Sequence, residues 1–139
     1  MPKRVWVYSP HTGGVKIPAA VRERTERRIR AYAAAHHAGK FTRLDIRFRG
    51  ALCYIDAYRE PEKPTAALLR ALTETREEYC ERLQSTPIRL CRLRYLGRDD
   101  AWSMAFYTYS HDRYQPCLFG HGSSTGTPEQ AFDIGSVYL

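Results

Sequence analysis

Lysine is scarce in this chain, with 18 of the 22 basic residues being Arg and only 4 Lys. No apolar run approaches the ~20 residues of a membrane-spanning helix. The opening MPKRVWVYSP lacks the apolar middle of a secretory signal, so a cytoplasmic protein with no membrane contact is expected. Nine Gly and eight Pro are too few for a fibrous or low-complexity chain, and no internal repeat or linker divides the sequence. Cys53, Cys80, Cys91 and Cys117 are separated by 27, 11 and 26 positions. None forms a C-x-x-C pair, which argues against a zinc knuckle. Without a secretion signal the thiols are expected to be reduced and mostly to act as small buried apolar groups. No cofactor and no metal site is expected.

What remains is one domain, residues 1–139, with 43% hydrophobic and 27% charged residues. That length buries roughly two-thirds of the unfolded surface, so no disulfide or metal is needed for stability. The formal net charge is +7, and its distribution is uneven. Residues 1–49 hold 12 basic and 3 acidic residues, a formal +9, whereas residues 50–139 hold 10 and 12, a formal −2. A GC-rich genome also favours Arg over Lys, so the ratio alone carries little. Codon bias acts on a whole chain, however, and does not account for a basic half. A basic, Arg-rich half suits phosphates, because the planar guanidinium makes paired hydrogen bonds.

The spacing predicts an α+β fold. Residues 1–16 read as an N-terminal arm or short strand, with RVWVY (4–8) the weakly alternating segment. Ile17-Pro18 opens a helix with Pro at the first helical position, ending near His37 at the terminator Gly39. Ile17, Val21, Thr25, Ile29, Tyr32 and His36 share its inward face, and Glu23–Arg27 and Glu26–Arg30 are favourable i,i+4 pairs. Residues 42–58 alternate as a hairpin. A second helix is expected over 65–84, with Leu68, Leu72, Tyr79 and Leu83 inward and an acidic outer face. Strands at 88–96, 101–109 and 113–119 follow, the last an edge because Pro116 cannot donate to a central ladder. Thr127-Pro128-Glu129-Gln130 has the form of a capping box opening a short C-terminal helix. The expectation is a five-stranded antiparallel sheet, hairpin plus three-stranded meander, with two longer helices on one face.

Alternation assigns the faces. Leu44, Ile46, Phe48, Cys53, Ile55, Cys91, Leu93, Tyr95, Trp102, Met104, Phe106, Cys117 and Phe119 fall inside. Arg43, Arg47, Tyr54, Tyr58, Arg92, Arg94, Tyr107, Tyr109 and Tyr114 fall on the opposite face. Such a face can hold phosphates with guanidinium groups and stack bases on phenol rings, at ~1–3 kcal/mol per base. The sequence therefore reads as a small, non-catalytic binding module for nucleic acid, single-stranded or RNA. The competing reading is a protein-interaction module, a homodimer or adaptor using the same face, since Tyr and Arg are interface hot-spot residues. A third is an ordinary sheet, where Arg and Tyr stack on each other.

The hairpin admits two registers. With Gly50-Ala51 as the loop, Gly leads a type II′ turn and Asp45 stands opposite Asp56. With Arg49-Gly50, Asp56 faces Arg43. Paired carboxylates can bind a metal or share a proton, but Arg43 and Arg47 are placed to neutralise them. Catalytic signals are weaker. His36-His37 suits a helix C-terminus, and His111-Asp112 suits a turn. The GHGSSTGT loop around His121 lacks the Lys and spacing of a P-loop. An enzyme built on His111 or His121 with nearby carboxylates is the remaining hypothesis.

Overall fold

The computed structural model describes residues 13–139. The expected strand over 4–8 lies outside the described residues. Residues 13–18 have no regular secondary structure and lead into α1 (Ala19–His36). Pro18 is its N-cap, one position earlier than its predicted place, with φ −64° and ψ 154°. Ile17, Val21, Thr25, Ile29 and Ala33 enter the core. The predicted stripe ran through Tyr32 and His36, but Ala33 and His37 continue it instead. The small Ala33 faces inward, and the bulky Tyr32 remains at the rim, where its hydroxyl donates to Asp133 at 2.5 Å. Of the two i,i+4 pairs, Glu26–Arg30 closes at 3.0 Å, and Glu23–Arg27 is not among the ion pairs of the described residues. Gly39 adopts φ 82°, as a helix terminator requires.

Strands β1 (Arg43–Arg49) and β2 (Leu52–Tyr58) form the hairpin. Arg49 pairs with Leu52, so Gly50-Ala51 is the loop, and Gly50 has φ 60°, the conformation that favours glycine in this turn. This register puts Asp45 directly opposite Asp56.

The single helix expected over 65–84 is two helices, α2 (Ala66–Leu72) and α3 (Arg76–Ser85). Threonine chemistry accounts for the break. Thr65 and Thr75 each accept an N-cap hydrogen bond, from the N–H of Leu68 and of Glu78, and Thr73 between them is left-handed at φ 55°. Two starts in eleven residues override a continuous apolar period. Neither helix has a buried residue, and Leu68 and Leu72 are 39% and 44% exposed, so the predicted inward stripe does not form.

Strands β3 (Ile88–Tyr95), β4 (Trp102–Thr108) and β5 (Arg113–Cys117) complete a five-stranded antiparallel sheet in the order β1-β2-β3-β4-β5. Strand β5 is an edge, and Pro116 stands opposite Ala105. The second helix on the core face is α4 (Pro128–Gly135), followed by a 3-10 turn at Ser136–Tyr138. Its capping box is complete, with Thr127 and Gln130 bonding each other's backbone N–H. It buries Pro128, Ala131, Phe132 and Gly135. Helices α1 and α4 thus form the layer over Leu44, Ile55, Leu93, Trp102 and Met104. Arg28 of α1 ties them together, donating to both oxygens of Glu129 at 2.7 and 2.9 Å.

One irregularity reorients the middle of the sheet. Ile55 pairs with Cys91 but Asp56 pairs with Arg89, leaving Leu90 as an extra residue in a β-bulge. Leu90 turns inward and is fully buried against α4, and Arg89 is carried to the opposite face beside Asp56.

Candidate nucleic-acid interface

Cross-strand pairing assembles the outer face. Arg47, Tyr54 and Arg92 form one row across β1, β2 and β3, Arg43 pairs with Tyr58, and Tyr107 pairs with Tyr114. Guanidinium groups stand over rings throughout: Arg43 over Tyr58 at 4.1 Å, Arg47 over Tyr54 at 5.4 Å and Arg92 over Tyr114 at 5.1 Å. Contacts of this kind contribute about 0.5–1 kcal/mol at exposed sites and about 2 kcal/mol when desolvated. The tyrosines also contact one another edge to face. Tyr54–Tyr114, Tyr114–Tyr107, Tyr107–Tyr109 and Tyr109–Tyr138 have centroid separations of 5.7, 5.1, 4.9 and 5.2 Å.

Exposure divides this face in two. Arg43, Arg47 and Tyr109 are exposed, and Tyr54, Tyr58 and Tyr114 are half-buried. Arg92, Arg94 and Tyr107 are buried. The accessible cations of the face are therefore Arg43, Arg47 and Arg49 along the β1 edge and Arg89 on β3. The chain entering α1 crosses the end of the sheet here. Val15 donates its N–H to Tyr95, Ile17 donates to Gly50, and a Cβ on Gly14 would lie 2.8 Å from Arg94 Cγ.

Asp56 is the charged residue most withdrawn from solvent on this face, at 3% exposure. Its Oδ2 accepts from Arg47 Nη2 at 2.9 Å, and its Oδ1 is buried with no hydrogen-bond partner. Burial pushes its pKa above the ordinary carboxylate range. Arg47 and then Arg89 pull it back, and Asp45 opposite pushes it up again. Burial also pushes the Tyr114 phenol up, with the Asp56 charge adding to it. The like-charged pair expected for the Gly50-Ala51 register is present, and Arg47 bridges it, its Nε lying 3.5 Å from Asp45. Arg43 stacks on Tyr58.

Two residues of the face escape sequence reasoning, and a third is placed but not its depth. Strict alternation places Arg89 inside with Cys91, yet the bulge puts its guanidinium over Tyr107 at 4.8 Å. Tyr138 reaches the face from beyond α4, its hydroxyl donating to the Tyr107 carbonyl. Asp56 alternates correctly onto the face, but its burial has no sequence signal. Beside Tyr109 and Tyr138 lies a groove of about 300 Å³, lined also by Arg59, Pro61, Leu83, Thr86, Pro87 and Ile88.

The weaker candidates do not converge. His37 is buried and bonds Asp133 at 2.8 Å, bracing α1 against α4. His111 is in the exposed β4–β5 turn, and His121 stacks on Phe119. In the loop before α4, the N–H groups of Gly122, Thr125 and Gly126 bond Phe119, Ser123 and Trp102, so those donors do not face an anion. Cys53 and Cys91 are buried free thiols whose pKa values burial pushes up, opposite to what a nucleophile needs. Among the described residues no three His, Cys, Asp or Glu side chains gather as a metal site, and no helix is long and apolar enough to cross a membrane. No family model, curated protein or solved structure matches the chain.

Proposed function

We propose that this chain is a small basic module that associates with nucleic acid, preferentially single-stranded, through the Arg/Tyr face of its sheet, and that it catalyses no reaction. The observation that supports this most is the pair of exposed guanidinium groups, Arg43 and Arg47, stacked over the rings of Tyr58 and Tyr54. A phosphate chain along β1 takes the guanidinium groups by paired hydrogen bonds. That motion uncovers ring faces on which bases stack, at ~1–3 kcal/mol each. The formal +9 of residues 1–49 adds long-range attraction.

The test is fluorescence anisotropy of labelled single-stranded DNA, duplex DNA and RNA at two salt concentrations. Salt-sensitive binding is expected, with single strands ahead of duplex. An Arg43→Ala, Arg47→Ala variant should lower the salt slope by roughly 1.4, two contacts at ~0.7 each. Absence of binding at low salt, or affinity indifferent to salt, overturns the reading. A second reading, a homodimer or adaptor interface on the same face, draws support from the burial of Arg92, Arg94 and Tyr107, which leaves fewer charges for a phosphate chain. Dimerisation across the micromolar range by light scattering, abolished in the same variant, would favour it.

A further inference from the structure

We propose that Arg47 and Asp56 form a proton-coupled phosphate site, in which a nucleic-acid phosphate that draws the Arg47 guanidinium outward leaves the Asp56 carboxylate to take up a proton from water. The inference rests on the nucleic-acid reading above and names the chemistry of one contact within it. Its origin is an imbalance in the structure. Buried polar atoms are normally hydrogen-bonded, yet Asp56 is 3% exposed and only one of its two oxygens has a partner. That partner is a side chain 54% exposed, held at its base by β1 and shared with Asp45.

The groups that face Asp56 come from all five strands, with Tyr58 under Arg43 on one side and Tyr114 under Arg92 on the other. Strand β1 contributes Arg47 and, directly opposite, Asp45. Tyr54 lies two residues away on its own strand and is covered by Arg47. Strand β3 contributes Arg89, paired with Asp56 across the bulge, and the fully buried Cys91 thiol. Tyr114 of β5 senses the Asp56 charge, and Tyr107 of β4 lies under Arg89. With Arg47 in place, burial already outweighs the cations and holds the pKa above normal. A phosphodiester competes for the same guanidinium with paired geometry. Once Arg47 turns to it, burial and Asp45 act on Asp56 against Arg89 alone, and the neutral acid is favoured. Binding and proton uptake are then linked, so affinity rises as pH falls. One proton sets a limit of about tenfold per pH unit.

The probe is labelled oligo(dT), whose bases and phosphodiesters do not titrate between about pH 5 and 8, a range set by the carboxylate and histidine values. Every other group of the chain is the same in wild type and variant, so the comparison isolates position 56. The wild-type affinity should therefore fall more steeply with pH than that of Asp56→Asn, by up to about tenfold per unit. Asp56→Asn should also bind more tightly than wild type near the upper end, because no charge holds Arg47 back. Calorimetry of the wild type in two buffers of different ionisation enthalpy reads the proton directly and is independent of how the variant folds. Net uptake on binding is expected. Binding without uptake, with equal pH slopes for wild type and Asp56→Asn, overturns the coupling and leaves the nucleic-acid reading standing. No binding of oligo(dT) at any pH at low salt overturns both.

Discussion

Gly135 sets how closely α4 approaches the sheet, and Gly135→Ala weighs two opposing effects. Its backbone is helical, at φ −66° and ψ −25°, so alanine is conformationally acceptable. On propensity alone the substitution should stabilise by roughly 0.5–1 kcal/mol. The added methyl, however, would lie 2.8 Å from the Leu90 carbonyl oxygen, 3.0 Å from its carbon and 3.1 Å from its Cβ. Carbon contacts are optimal near 3.5–4.0 Å, so the helix must retreat by about half an ångström or the bulge must yield. Overpacking of this kind costs about 1–3 kcal/mol. The steric effect wins, and a net loss of about 1–2 kcal/mol is expected, a drop in Tm of roughly 4 °C per kcal/mol for a chain of this size. Urea denaturation should show a lower midpoint with an unchanged slope.

A second substitution sharpens the argument. The closest atoms belong to the Leu90 backbone, and its Cβ persists in alanine. Truncating Leu90 to Ala therefore cannot relieve the clash, and the double variant should lose at least the sum of the two single losses. Unchanged or increased stability of Gly135→Ala would refute the close approach of α4 to the bulge, and a double variant more stable than Leu90→Ala would assign the contact to the Leu90 side chain instead.

Thr127→Ala removes the cap of α4 and leaves the Gln130 N–H without its acceptor, so a loss of about 1 kcal/mol is expected by urea denaturation; a change below measurement error would mean the helix start is set by Pro128 alone. Asp56 has a folded-state pKa above its unfolded value, so its contribution is fully present below about pH 4 and is lost as pH rises through the folded value. Relative to wild type, Asp56→Asn should therefore gain stability between acid and neutral pH, and a wild type that gains on the variant over that interval would contradict the burial argument. Cys53 and Cys91 should resist a thiol reagent until the protein unfolds, while the half-buried Cys80 and Cys117 label first; rapid labelling of all four thiols without denaturant would be inconsistent with this core.

Period-two alternation located the strands because α1 and α4 cover one face of the sheet, so apolar side chains gather there and charged ones on the other. The sequence admits two hairpin registers, because turn chemistry favours Gly50-Ala51 and charge pairing favours Arg49-Gly50; the structure adopts the first, with Gly50 supplying the positive φ. The helical region after β2 was misread because leucines at helical spacing carry no information about whether anything lies against them. In this chain the threonine caps at 65 and 75 decide where the helices start, and Leu68 and Leu72 remain at the surface. The covering role passed to α4, whose capping box was visible but whose short length concealed its importance. On the candidate site, alternation missed Arg89, which the bulge carries to the face, and carried no measure of depth. Arg92 and Arg43 have the same pattern in sequence, yet one is buried on the central strand and the other exposed on an edge strand.

The least legible feature, the bulge at Leu90, links the two faces. In an uninterrupted register Asp56 would stand opposite Leu90, a second carboxylate-facing position without a cation. The fully buried Leu90 turns toward Gly135, and this rotation brings Arg89 to the pairing position beside Asp56. A buried carboxylate opposite another carboxylate thereby gains a second guanidinium group, with Arg89 over Tyr107 added to the hydrogen-bonded Arg47, and both are exposed. Inward packing of an aliphatic side chain thus sets the electrostatics of the outward face. Together these two cations partly offset the burial of Asp56 inside the sheet.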